Sequence, residues 1–528
     1  MRKFMILFSG IALATIFNIQ GTVNIRVLSI FISVGILFYI INKTEILEWH
    51  PFHCSSRTIL SILLTGISLI FLGNYFIDNM TYMSELSNDR IKLITILLQI
   101  TAFPTAYLFI NYILICSKKW LKNYSQSLDK DDYVIMGSIL IVFMIGGIWT
   151  YSKTNLFSWP TFNGEHIAYD VVYTLDTPEQ IKSNVFLNIT AQENDIRQPL
   201  FGLFAYPFAL ISILLTKIFF FVPNSFSYFL MLMQVIALLL VTSILAKHME
   251  LKKISKISFY LICFFSYAFL LFSLNVEQYV FSIFWLILYI DSVLDRRAFK
   301  DIFFIGATGS LLTSGITFGM LSDIKNFTTY VKDILFCAIK FFAVTTFAGV
   351  LPVFLNAVNN LQRLLVYTGK GKLTIYDQWM QFTNFISSCF IKPTTIINLP
   401  QYTYPSYQLS NVTEINRLGV VILCVCILGF ILNWKKPIIK VCFSWLLYSI
   451  LILVVIGLGA PENGMVLYGI YFGWSFLVLF FMAIQTLLSR WPKVQHFIYT
   501  LICLCLASIN IPGILDLIYF GIQYYPRM

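Results

Sequence analysis

Between Tyr151 and Pro199 stand six carboxylates, Glu165, Asp170, Asp176, Glu179, Glu193 and Asp195, with only Lys153, Lys182 and Arg197 to balance them, in a chain that is 12% charged. A carboxylate partly withdrawn from water beside a reacting hydroxyl gains proton affinity and can serve as a general base. Glu165, Asp170 and Asp195 are the candidates for that role. The segment closes on Asn194-Asp195-Ile196-Arg197-Gln198-Pro199-Leu200. Pro199 biases Gln198 away from the helical region and can itself open a helix. Asp195 and Arg197 are therefore expected at a helix N-terminus, where the dipole and the guanidinium both favour a bound phosphate. A solvated pairing of the two residues is the plainer reading.

A second polar stretch, 357–416, has the opposite character. Arg363, Lys370, Lys372 and Lys392 stand against Asp377 and Glu414, among Tyr367, Tyr376, Trp379, Tyr402, Tyr404 and Tyr407. Cations beside rings suit a phosphate-bearing lipid and a stacked sugar, which makes Arg363, Lys370 and Trp379 candidate substrate contacts. An interfacial aromatic belt explains the rings equally well. Asn275-Val276-Glu277-Gln278-Tyr279 breaks an apolar hairpin; with its side chain turned to the bundle, Glu277 would close the same site, and Tyr279 beside it. Pro461-Glu462-Asn463-Gly464 adds Glu462 to that outer surface. His166 stands alone in its loop and reads as a polar contact.

These stretches must be positioned by membrane helices. With 58% hydrophobic residues and a mean hydropathy of +0.79, no compact soluble core could hide the apolar surface. The expected fold is all-α, a polytopic transmembrane bundle of about 13–15 helices with two structured outer-face loops. Apolar runs fall near 4–19, 27–42, 59–77, 93–116, 134–150, 200–222, 226–246, 257–274, 278–294, 301–320, 334–356, 417–433, 439–459, 465–488 and 497–520. The run after Met1-Arg2-Lys3 has no small-x-small cleavage site and reads as a retained first helix.

The net charge of +11 sits in short Lys/Arg clusters between the runs, which reads as cytoplasmic anchoring and gives no nucleic-acid face. That rule places the N-terminus inside and both polar loops outside. It leaves a parity problem at 200–222 and again within 301–356, which a re-entrant or interfacial helix at each place would resolve. Residues 1–130 read as accessory helices, 131–356 as the module carrying the acidic loop 151–199, and 357–528 as the basic aromatic loop 357–416 followed by C-terminal helices. Most of the ten cysteines lie inside apolar runs as small hydrophobes, and no Walker loop, GxGxxG or HExxH motif occurs. The sequence names no cofactor; a divalent cation is compatible with it.

The arrangement resembles the type C glycosyltransferases (the GT-C superfamily), integral membrane enzymes in which an acidic exoloop runs into a His-Pro-Pro-Leu-like stretch opening the next helix. Arg197-Gln198-Pro199-Leu200 stands in that place. A basic turn (Lys247 to Lys256), an acidic outer hairpin (Glu277-Gln278-Tyr279) and a helix ending in Asp295-Arg296-Arg297 follow. The resemblance implies a plasma-membrane enzyme with its active site on the outer face. It would move a sugar from a polyprenyl-phosphate donor to an envelope glycan or similar acceptor, with inversion. Asp170 or Asp195 would then be the base and Arg363 would hold the carrier phosphate; by the residues alone the base stays open between Glu165, Asp170 and Asp195. A lipid-linked glycan flippase or a polysaccharide polymerase is the alternative. A flippase calls for charged residues inside its helices, and few are visible.

Overall fold

The computed structural model describes residues 2–19, 22–43, 56–83, 86–183, 185–188, 196–295, 300–322, 326–356, 362, 368, 373–399, 404–410, 414–459 and 464–527. In chain order the α-helices are α1 (Arg2–Phe17), α2 (Val23–Lys43), α3 (Ser56–Met83), α4 (Asn88–Ser127), α5 (Lys130–Lys153) and the short α6 (Thr177–Lys182). They continue with α7 (Phe201–Ile218), α8 (Ser225–His248), α9 (Lys253–Phe265), α10 (Tyr267–Phe272), α11 (Gln278–Leu294), α12 (Lys300–Ser310) and α13 (Thr317–Leu321). After these come α14 (Phe327–Phe347), α15 (Leu351–Leu355), α16 (Ile375–Phe390), α17 (Arg417–Asn433), α18 (Pro437–Ile450), α19 (Gly469–Leu487) and α20 (Pro492–Tyr524). Strand is confined, among the described residues, to two antiparallel hairpins, β1 (Thr161–Phe162) with β2 (Glu165–His166) and β3 (Thr395–Asn398) with β4 (Ser406–Leu409). Eight described helices are long and apolar enough to cross a membrane, so the chain is a multi-pass, all-α membrane protein.

Two compact units make up the chain. One comprises Met1–Asp129, Asn188–Leu203 and Val331–Asn360; the other comprises Lys130–Leu187, Phe204–Tyr330 and Leu361–Met528. In the first, α1, α3 and α4 pack together, with Ser9 Oγ accepting from the Thr105 N–H at 2.9 Å and the Gln99 amide donating to the Leu69 carbonyl at 2.8 Å. Asn18 ends α1 by donating to the carbonyls of Ala14 and, 3.3 Å away, Phe347. Gly349 follows at φ +81°, where a Cβ would lie 2.3 Å from the Phe17 carbonyl oxygen, so only glycine permits this approach.

The second unit is built around α8. The apolar window of α8 is 83% buried, against 22% for α5, which lies at the edge of the packed helices. Helix α5 runs antiparallel to α8, since Tyr228 donates to the Met144 carbonyl while Asn224 reaches the Tyr151 carbonyl. Helices α8 and α11 run parallel: Gln234 meets the backbone of Glu277, and His248 meets Asp291. One end of this unit therefore gathers the charges at the termini of α5, α8, α9, α11 and α18. Lys253 pairs there with Asp131 at 3.0 Å, Lys256 with Asp132 at 3.0 Å and Lys436 with Glu250 at 3.3 Å. The Lys253 and Lys436 pairs, which are open to solvent, contribute under about 1 kcal/mol each and act mainly to fix position, whereas Asp132 is buried in its pair. The other end, about 25 Å away along the 17 residues of α11, carries the 154–187 loop, the 273–277 turn and the β3–β4 hairpin.

Two of the expected spans resolve differently from a plain crossing. Helix α7 runs antiparallel to α11, with the Phe204 carbonyl at Trp285 Nε1 and the Phe208 ring against Phe281 and Phe284. It leads back to the loop end, where Asn224 Nδ2 donates to Asn155 Oδ1 at 3.0 Å. Within 200–246 it is α8 that carries the chain from the loop end to the charged end. The 301–320 run is split at Leu311, in extended backbone, into α12, a 3₁₀ turn (Leu312–Ile316) and α13.

Candidate functional site

The 273–277 turn forms because the apolar run is punctuated by residues that prefer to bond their own backbone. Ser266, in extended conformation, separates α9 from α10, and Asn275 and Glu277 interrupt the run again before α11. The turn is held from α8 by one fully buried side chain, Gln234. Its amide donates to the carbonyls of Phe272 and Asn275, and its oxygen accepts from the Glu277 N–H at 2.9 Å. Tyr151 Oη donates to the Leu274 carbonyl at 2.9 Å.

Glu277 is 0% exposed and caps α11 by accepting from the Gln278 N–H at 2.9 Å. Its carboxylate also receives the Asp176 N–H at 3.2 Å and the Gln180 amide at 2.8 Å, so the loop helix α6 is seated on it. Burial, with the neighbouring Asp176 charge second, raises its pKa to about 8, outweighing the lowering by the three donors. The acid form needs an acceptor. Gln180 Oε1 is buried with no partner among the described residues, and an amide turn would offer it.

The rest of the loop is pinned to the second polar stretch. Val171 and Tyr173 add themselves beside β4: the Tyr407 N–H donates to the Val171 carbonyl at 2.8 Å and the Tyr173 N–H to the Tyr407 carbonyl at 2.7 Å. Gln408 Nε2 donates to the carbonyls of Asp170 at 2.7 Å and Tyr173 at 3.0 Å, and Tyr404 Oη to that of Tyr169 at 2.9 Å. Asp170 (φ +57°) and Tyr173 (φ +52°) both occupy the left-handed region, unusual for residues other than glycine and maintained only where neighbours enforce it. For Tyr173 the enforcement is visible: its ring is fully buried edge-on to Tyr407, and its hydroxyl bonds that of Tyr267 at the start of α10.

Asp170 itself opens to solvent, yet protein packed on one side partly desolvates its carboxylate and raises its pKa, and its charge in turn helps raise that of Tyr404. This is the direction a general base working near neutral pH requires. Glu165 is exposed on β2, just past an Asn163-Gly164 turn with both residues at positive φ, the geometry that closes a two-residue hairpin. His166 stacks on Trp159 at 3.9 Å; its Nδ1 lies 3.1 Å from the Pro160 carbonyl and so carries the proton, and desolvation lowers its pKa.

Of the other sequence candidates, Tyr279 packs against Tyr468 and Tyr471 at 5.5 and 6.0 Å, and Trp379 is half-buried beside Phe382 on α16. Arg197 is exposed and belongs to the first unit, whereas Asp170 and Glu277 belong to the second. Asp195, Arg363, Lys370 and Glu462 lie outside the described residues. The structure thus brings Asp170, Asp176 and Glu277 into one loop assembly. It also draws in Gln180, Gln234, Tyr173 and Gln408, which sequence reading had not singled out. These are neutral residues without motif spacing, and their partners lie up to 238 positions away.

Among the described residues, one group has the ligand types for a metal, His248, Asp291 and Asp295, with ligand atoms within 4.8 Å of one another. It lies at the charged end, away from Asp170. The Lys247 ammonium already bridges its carboxylates, 3.3 Å from Asp291 and hydrogen-bonded to Asp295. The donor set fits a resident ammonium better than a divalent ion.

Comparison with protein-family models, curated proteins and solved structures finds no match to this chain.

Proposed function

We propose that this protein is a membrane glycosyltransferase that takes a sugar from a polyprenyl-phosphate donor and passes it, with inversion, to a hydroxyl of an outer-face glycan or similar acceptor. The observation that carries the reading is the docking of the acidic loop on β4, which fixes Asp170 in left-handed backbone with a partly desolvated carboxylate. In the reaction the acceptor oxygen bonds the anomeric carbon as the bond from that carbon to the phosphate oxygen breaks. Asp170 takes the acceptor proton and polyprenyl phosphate leaves. Arg363 and Lys370, from the same stretch as β4, are the cations suited to the phosphate. Glu277 acts as a positioning residue: it holds α6, and through α6 the course of the chain that follows Asp170.

Purified protein in lipid nanodiscs, supplied with a labelled polyprenyl-phosphate hexose and an oligosaccharide acceptor, should show transfer. Asp170→Asn should lower kcat by about 100-fold or more, the usual contribution of general-base catalysis, with the melting temperature unchanged. Full activity in D170N together with loss in Asp195→Asn would move the base to Asp195. Full activity in both would end the proposal.

A further inference from the structure

One cavity in the second unit is independent of the carboxylates. It lies between α16, the end of the β3–β4 hairpin and the 3₁₀ turn Gly464–Tyr468 that precedes α19, and holds about 60 Å³. Gln381, Asn384 and Ser388 line it from α16 at spacings of three and four, which places them on one helical face. Thr394 and Ser410 face them from the hairpin, and Phe385 supplies an aromatic wall. No described residue lining it is ionisable.

Its polar atoms are incompletely used. Gln381 Oε1 is buried and accepts from no described residue. Ser388 Oγ donates to the Phe385 carbonyl at 2.8 Å and keeps its lone pairs, while the exposed Thr394 keeps its hydroxyl at the rim. Asn384 is spent on structure, donating to the Met380 and Glu414 carbonyls and accepting from Asn416. The free set is one amide and two hydroxyls beside a ring, able both to give and to take hydrogen bonds but with no cation for an anionic ligand. Sixty cubic ångströms is room for about two waters, hence for a hydroxymethyl group or the hydroxyl-bearing edge of a pyranose.

We propose that this cavity binds the edge of an uncharged sugar. Ser410 stands two residues beyond Gln408, which holds Asp170, a separation of about 7 Å along the strand. Assigning the bound sugar as the acceptor rests on the enzymatic reading above; the binding itself does not.

The test is saturable binding of methyl hexosides, read by saturation-transfer NMR on the full chain in phosphatidylcholine nanodiscs, free of sugar detergents. Wild type should bind at least one methyl hexoside, and glucose 1-phosphate should bind more weakly. Gln381→Leu should weaken binding about fivefold, the equivalent of one neutral hydrogen bond. Thr394→Val, at an exposed position that cannot threaten folding, should weaken it in the same direction. Asp170→Asn should bind as wild type does, so failure of catalysis and failure of this site are separable. No saturable binding, undiminished binding in both cavity variants, or preference for the phosphate ester would each overturn the proposal.

Discussion

Asp170 and Glu277 belong to one loop assembly and have opposite designs. Asp170 sits at the loop edge in left-handed backbone, its carboxylate open on one side and its own carbonyl held by Gln408. Glu277 is sealed, meets three donors and, among the described residues, no cation, and anchors α6 to the start of α11. The first arrangement leaves a carboxylate free to react; the second uses one up as a fastener. What separates the two roles is the number of donors already committed, since burial raises both groups.

If that division of labour is right, the largest effect is on turnover: the hundredfold or greater loss in D170N should come without loss of stability, whereas Glu277 substitutions should do the reverse. Glu277→Ala would leave the Asp176 and Gln278 N–H groups and the Gln180 amide buried without an acceptor, costing about 3 kcal/mol. Glu277→Gln keeps an oxygen in place and should cost about 1 kcal/mol. Equal drops in melting temperature for the two variants would mean the native group must be ionised, against its raised pKa.

The same group gives the fold a pH dependence. The folded pKa, about 8, lies above the ordinary value of 4.5, so the folded state holds a proton that the unfolded chain gives up. The contribution to stability is complete below pH 4.5 and declines as pH rises, by at most about 1.4 kcal/mol per pH unit, until it is lost above pH 8. Melting scans from pH 5 to 8 should show this decline in wild type and a flatter profile in E277Q; parallel profiles would place the proton elsewhere. The smallest effect is expected for Tyr173→Phe, which removes only the hydroxyl bond to Tyr267 and should lower stability by about 1 kcal/mol with turnover within a few-fold of wild type. A larger loss of turnover than of stability would tie the Tyr173 bend directly to Asp170.

Much of the helical framework was legible because apolar runs of membrane length have a single structural solution. The acidic loop was legible as a composition anomaly, six carboxylates against three cations in a charge-poor chain. The direction of α7 was not legible: hydropathy carries length and not sense, and reversal is decided by which rings Phe204 and Phe208 find on α11. The parts of the site supplied by Gln234, Gln180 and Gln408 were invisible for a related reason. A neutral amide leaves no trace in charge or periodicity, and its function here lies in partners brought close only by folding.

The reversal of α7 reaches beyond the site. Any map of sidedness that counts each hydrophobic peak as one passage would count one crossing too many between Asn155 and Asn224. Because the backbone on either side of this excursion emerges at the same surface, Asn155 against Asn224, the excursion is a tuck in the thread and not a stitch through the fabric.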